Sequence, residues 1–134
     1  MFSKIECDMN PTGILSIQSK YTVHETTNRI ENFLLAAGAT LYARIDQQAE
    51  LKKAGLDISP MEFILFGNPA AGGPIIVQNP FVALDLPLKL LILENDKNET
   101  WVIYNDAAFI GDRYKLEQGT SSPLVLDKII NRAI

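Results

Sequence analysis

Cysteine and histidine are almost absent from this chain of 134 residues: Cys7 and His24 are each alone. A single thiol excludes an internal disulfide and a thiolate metal cluster. A single imidazole excludes a multi-histidine metal site within the chain, so no resident metal or cofactor is expected. Any Ser–His–Asp or Cys–His arrangement would have to be built on His24. That residue falls at the second position of a helix, where an exposed surface side chain is the simpler reading. Clustered positive charge is lacking too. Twelve basic residues stand against sixteen acidic ones, giving a net charge of −4, and Lys52-Lys53 is the only basic block. Phosphate neutralisation needs a basic face, so nucleic acid is not an expected partner. Long apolar runs are missing as well. The segment Leu86–Leu93 is interrupted by Pro87 and Lys89 and is far too short to span a bilayer. The opening MFSKIECDMN has no basic region followed by an apolar one, as a secretory signal would. These absences predict a soluble, cytoplasmic protein with neither membrane nor nucleic-acid partners.

What is present is an ordinary globular composition, with 47% apolar residues. A chain of this size buries roughly two thirds of its unfolded surface, enough for a self-sufficient core. The expected organisation is an arm over residues 1–12, ending in the turn Asn10-Pro11-Thr12-Gly13, and a single domain over 13–134. Ile14–Tyr21 alternates as a strand. Thr22 and Glu25 form a capping box, each predicted to bond the other's amide. Val23, Ile30, Phe33, Leu34 and Ala37 then recur at helical spacing up to Gly38. Glu25 and Arg29 stand four apart in the favourable acid-before-base order. Ala39–Asp46 reads as a strand, Gln47–Ala54 as a short helix, and Met61–Phe66 as a strand. Pro74 is placed to open a short helix over Ile75–Asn79. Leu84–Asn95 and Thr100–Asn105 form a hairpin around residues 96–99. Ala107–Tyr114 is a helix capped by Asp106, and Leu124–Ile134 is an amphipathic helix with Val125, Leu126, Ile129, Ile130 and Ala133 on its stripe. Trp101 and Tyr104 fall on opposite strand faces by parity, one for the core and one for a groove. Helices flanking a run of strands predict an α+β fold, with a mostly antiparallel sheet and the two long helices packed on one face.

The chemistry-bearing stretch is Met61–Lys89. An apolar run stops at Gly67-Asn68-Pro69, and Gly72-Gly73 precedes Pro74. Two readings fit. The first is an amide-lined cradle for an anion at a helix start. The second is a tight crossover in which the glycines take positive φ and Asn68 bonds its own backbone. The string lacks the lysine and hydroxyl of a P-loop and is not a dinucleotide fingerprint. Asp85 and Lys89 read as an ion pair or as caps around Pro87. Asp46, Asp85 and Asp106 fall at strand ends, where convergence would allow a divalent cation or acid–base chemistry, and capping is the alternative. No catalytic residue is assigned. The leading functional reading is a small-ligand module, an anionic metabolite among the candidates, with a pocket lined by Asn68, Gly72, Gly73, Asp85, Lys89 and Asn105. A homodimeric interaction domain comes second, contacting through a sheet edge or the apolar segment Pro74–Leu84, with Val77, Phe81 and Val82. A metal-dependent hydrolase using aspartates comes third.

The stretch resembles the domain-of-unknown-function family 302. The likeness runs from Gly13 to Leu116 through Glu25-Thr26 with Arg29-Ile30-Glu31, Ile45-Asp46, Phe66-Gly67-Asn68-Pro69 with Gly73, Leu84-Asp85-Leu86-Pro87-Leu88-Lys89, and Trp101-Val102 with Tyr104-Asn105-Asp106. It implies an α+β fold of the TATA-binding-protein-like type, β-α-β(4)-α with a curved sheet. That name describes shape and carries no DNA binding. The family implies no activity. Where many members carry histidines, this chain has Gln47 and Tyr114, so a metal or haem held by those imidazoles would lose them here.

Overall fold

Thr22 opens the first helix, α1 (Val23–Ala36), by accepting a hydrogen bond from the Glu25 amide at 3.2 Å. Half of the expected capping box is therefore present. The other half is not, because the Glu25 carboxylate turns to Arg29 at 3.7 Å. The computed structural model describes residues 12–117 and 119–134. Cys7 and the expected arm, Thr12 apart, lie outside them.

Among the described residues, five strands form one antiparallel sheet: β1 (Ile14–Ser19), β2 (Thr40–Asp46), β3 (Met61–Gly67), β4 (Leu88–Glu94) and β5 (Thr100–Asn105). Their order is β1-β5-β4-β3-β2. The remaining helices are α2 (Gln47–Lys53), α3 (Pro69–Gln78), α4 (Ala107–Arg113) and α5 (Asp127–Ala133). The architecture is α+β, as the sequence predicts.

Because strand side chains alternate, pairing register decides what each face carries. One face sets Ile64, Phe66, Leu90, Ile92, Val102 and Tyr104 against Val23, Ile30 and Leu34 of α1. Leu126, Ile130 and Ala133, in and just before α5, join the same cluster. Both long stripes thus land on one face. A second cluster gathers Ile75, Val82, Ala107, Ile110, Tyr114 and Leu124 under α3 and α4. Tyr104 is core and Trp101 points to the opposite face, as parity requires. Burial pushes the Tyr104 phenol up to about 12, with Asp127 and Asp106 adding to the rise.

Four elements depart from expectation. α3 begins at Pro69, five residues earlier than the sequence suggests, because Asn68 caps it and Pro69 takes the first turn, where a missing N–H is harmless. Pro74 lies inside that helix. β4 begins only at Leu88; Pro80–Leu84 is instead a 3₁₀ turn, followed by a cis Leu86–Pro87 peptide. β1 stops at Ser19. The last helix starts at Asp127, so Val125 leaves the stripe and is exposed.

Gly13 provides a check on the β1–α4 corner. Its φ is +80°, and a Cβ there would run into the Phe109 ring. Its carbonyl also accepts from the Asp106 amide at 2.8 Å, tying β1 to the start of α4. Gly38 has a φ of +85° but opens onto free space. Gly13→Ala is therefore expected to lower the unfolding free energy by about 2–3 kcal/mol, against about 1 kcal/mol for Gly38→Ala. Urea titration of the two variants checks the difference.

Candidate functional site

A recess on the helix side of the sheet has a volume of about 440 Å³. Its walls come from six separate stretches: the end of α1 (Leu34, Ala37), Ala39 with Tyr42 on β2, Phe66 and Gly67 of β3, α3, the turn Leu86–Leu88, and the segment from Pro123 to Ile129. No charged side chain lines it. α3 forms one wall through Ala71, Gly72, Gly73 and Ile76. A Cβ added at Gly72 or Gly73 would meet nothing within 4 Å, so these glycines keep the wall thin beside open space.

An anion cradle would need free amides at the start of α3, and the first turn has already used them. Asn68 Oδ1 accepts from the Ala70 amide at 3.0 Å. The Asn68 carbonyl accepts from Ala71 at 2.9 Å and from Gly72 at 2.8 Å. Of the crossover reading, the bond from the backbone to Asn68 is present as a helix cap, but Gly67, Gly72 and Gly73 do not take the positive φ it expected, the last two lying inside α3.

The six residues expected to line one pocket are divided between two. Asn68, Gly72 and Gly73 line the large cavity. Asp85, Lys89 and Asn105 line a smaller depression of about 130 Å³, which shares Pro87, Leu88 and Leu126 with the cavity. Asp85 and Lys89 do not pair. Asp85 Oδ2 accepts from the Tyr114 hydroxyl at 2.5 Å and from Arg113 Nη1 at 3.1 Å. The short bond to Asp85 raises the Tyr114 pKa above the usual phenol value, with burial adding to it. The Lys89 ammonium lies 4.1 Å from the centroid of the Phe63 ring. Tyr114 is therefore a structural partner of Asp85.

The other aspartates are caps. Asp46 accepts from the Ala49 amide at 2.9 Å and Asp106 from Ala108 at 3.1 Å. Among the described residues, no group of three His, Cys, Asp or Glu side chains is placed to hold a metal ion. The expected interface residue Val82 is fully buried in the second cluster, whereas Val77 and Phe81 are 83% and 80% exposed.

One polar constellation escaped the sequence reading. Glu62 of β3 faces the helices, and its side chain is only 8% exposed. Arg44 on the neighbouring strand donates to Glu62 Oε1 from Nε at 3.1 Å and from Nη2 at 2.9 Å. Its Nη1 reaches Asn28 Oδ1 at 2.6 Å and Glu31 Oε1 at 3.2 Å, both on α1. His24 Nδ1 lies 3.2 Å from Glu62 Oε2, while the imidazole itself is largely exposed. The register Arg44↔Ile64 and Asp46↔Glu62 places these side chains on the α1 side of the sheet edge. Strand parity of Glu62 was the available signal, masked by the apolar run that follows it. The network fastens α1 to the β2 edge.

Comparison with known proteins fits this architecture. The family described as "Domain of unknown function DUF302" matches residues 15–132. A crystal structure of an uncharacterised conserved DUF302 protein from Bacillus stearothermophilus superposes with a TM-score of 0.77 at 18% identity, covering 92% of this chain and 96% of that one. Among curated proteins, fluoride-specific ion channel FluC 1 of Brucella suis biovar 1 (strain 1330) is 31% identical over 119 residues, which is 89% of this chain and 46% of the channel. FluC 1 of Brucella abortus biovar 1 (strain 9-941) gives 31% over 119 residues and 43% of its length. The chain thus spans less than half of these relatives, and among the described residues no helix is long and apolar enough to cross a membrane. With the family matched over nearly its whole length and the fold shared, the chain belongs to the DUF302 family.

Proposed function

We propose that this domain is a small-ligand-binding module, and that its ligand is an uncharged, largely apolar small molecule held in the cavity beside α3. The observation that carries this reading is a recess of about 440 Å³ lined without a single charged side chain. That volume lies in the range of small-molecule sites, and its apolar walls suit hydrophobic contact. Burying an ion there unpaired would cost several kcal/mol. An anionic metabolite is correspondingly disfavoured, and so is a bare halide such as the relatives' fluoride, since the first amides of α3 are engaged. Asn68, Gly72 and Gly73 belong to this site; Asp85, Lys89 and Asn105 flank it.

A neutral solvatochromic dye such as Nile red tests the reading. The wild type is expected to bind it with micromolar affinity and a blue-shifted emission, and Lys89→Ala to bind it equally well, because Lys89 lies outside the cavity. Absence of binding would overturn the proposal. A large loss in Lys89→Ala would move the site to the neighbouring depression.

A further inference from the structure

Two side chains in the wall of the recess beside α3, Tyr42 and Asn68, carry a hydrogen-bonding group. Every other wall residue is glycine, alanine, proline, phenylalanine or a branched aliphatic. A β-bulge places the first of the two. The register pairs Leu41 with Phe66 and Ala43 with Leu65, so Tyr42 is the extra residue of β2. Leu41 follows Phe66 towards the helices and packs on the first core cluster. Alternation counted back from Arg44, opposite Ile64, puts Tyr42 on that same side. Two consecutive side chains thus share one face, as an added residue in a strand allows. Leu41 fills the core, and Tyr42, half exposed, is left standing at the cavity mouth. Its ring reaches to 3.5 Å from the place a Cβ on Gly67 would take, and Asn68 is the next residue along.

What remains free at this mouth is a pair of donors. The Ala70 amide can only donate, so the Asn68 atom that meets it at 3.0 Å is Oδ1. Nδ2 is left over and carries N–H groups alone, while the Tyr42 hydroxyl supplies an O–H. Among the described residues neither atom has a hydrogen-bond partner. We infer that these two groups select an apolar ligand bearing a carbonyl oxygen. Its body fills the recess, and its oxygen sits at the mouth, accepting from the Tyr42 hydroxyl and from Asn68 Nδ2. A carbonyl oxygen has two lone pairs and takes both donors, whereas a hydrocarbon answers neither. A carboxylate would also accept from them, but it would bring a charge to a wall that holds none to pair with it. The inference rests on the apolar module proposed above and adds the chemical class of its ligand. Tyr42 is the residue that sets that class.

α-Tetralone and tetralin share one fused-ring body and differ by the carbonyl, so their displacement of Nile red from the full chain tests the inference. Both are expected to displace the dye from the wild type. Tyr42→Phe keeps the ring and removes the hydroxyl. It is expected to weaken α-tetralone about fivefold, as the loss of one hydrogen bond would, while tetralin stays within about twofold. Asn68→Ser keeps a capping oxygen for α3 but has no Nδ2, and the same selective loss is expected of it. A variant that merely loosened the cavity would weaken both compounds alike. Equal losses for the two compounds, or no loss for either, overturn the carbonyl inference and leave the apolar module standing. A wild type that binds no Nile red overturns the module and the inference together.

Discussion

Arg44→Met is expected to lower the unfolding free energy by about 3 kcal/mol, the loss found when one partner of a buried ion pair is removed and the other is left uncompensated. Glu62 is the residue left behind. Its side chain is 8% exposed, and Arg44 meets its Oε1 with two N–H groups at 3.1 and 2.9 Å. His24 lies 3.2 Å from the second oxygen but is itself largely in water, so it compensates little. The variant also frees Asn28 and Glu31 from Arg44, loosening α1 from β2. For a domain of this size the loss corresponds to a fall in Tm on the order of 10 °C. The double variant Arg44→Met with Glu62→Leu removes both charges and is expected to recover most of the loss, because apolar replacement of a buried pair is often neutral. Urea unfolding with an unchanged m-value checks both results. A single-variant loss below about 1 kcal/mol would make this an ordinary surface network.

The second large effect separates binding from folding. Gly72→Leu is expected to raise stability while weakening Nile red binding at least tenfold. Gly72 sits inside α3, where glycine costs about 1 kcal/mol relative to a good helix former. A side chain added there meets no atom within 4 Å. Leucine in that space would occupy volume that the dye needs and would bury apolar surface, adding roughly 1 kcal/mol more. Gly73 is the poorer choice, because it precedes Pro74, which disfavours a helical side-chain-bearing residue before it. Opposite signs in the two measurements cannot come from misfolding. Unchanged dye affinity in a stabilised variant would show that the recess beside α3 is not where the dye binds.

Much of the fold was legible in the sequence, and the reasons differ by element. α1 could be read because a Thr22 cap and a 3.6-residue stripe agree, and the last hairpin because two apolar runs flank a four-residue polar turn. α3 was only half seen, since two glycines and an internal proline all argue against a helix. It forms because Asn68 and Pro69 suit its first turn and because Ile75 buries into the second cluster. The start of β4 was set too early, since an apolar run cannot distinguish a strand from a 3₁₀ turn. Asn68, Gly72 and Gly73 were singled out through an expected turn chemistry, whereas in the fold they cap and build α3 and line the cavity from there. The other walls of the cavity come from five further stretches that only the folded sheet brings together, and no local pattern marks them. Asp85 and Lys89 failed as a pair for a similar reason. Four residues apart in sequence, they are separated by a cis-proline turn and engage Tyr114, Arg113 and Phe63 instead.

The charge-free recess beside α3 is proposed to bind an uncharged ligand. Mapping backbone amide chemical shifts on titration with Nile red tests it most directly. The largest shifts are expected on Gly67, Ala71, Gly72, Gly73, Ile76 and Leu88, with Lys89→Ala giving the same map. Shifts confined to Leu91, Trp101 and Ile103 on the opposite face, or no shifts at all, would contradict it.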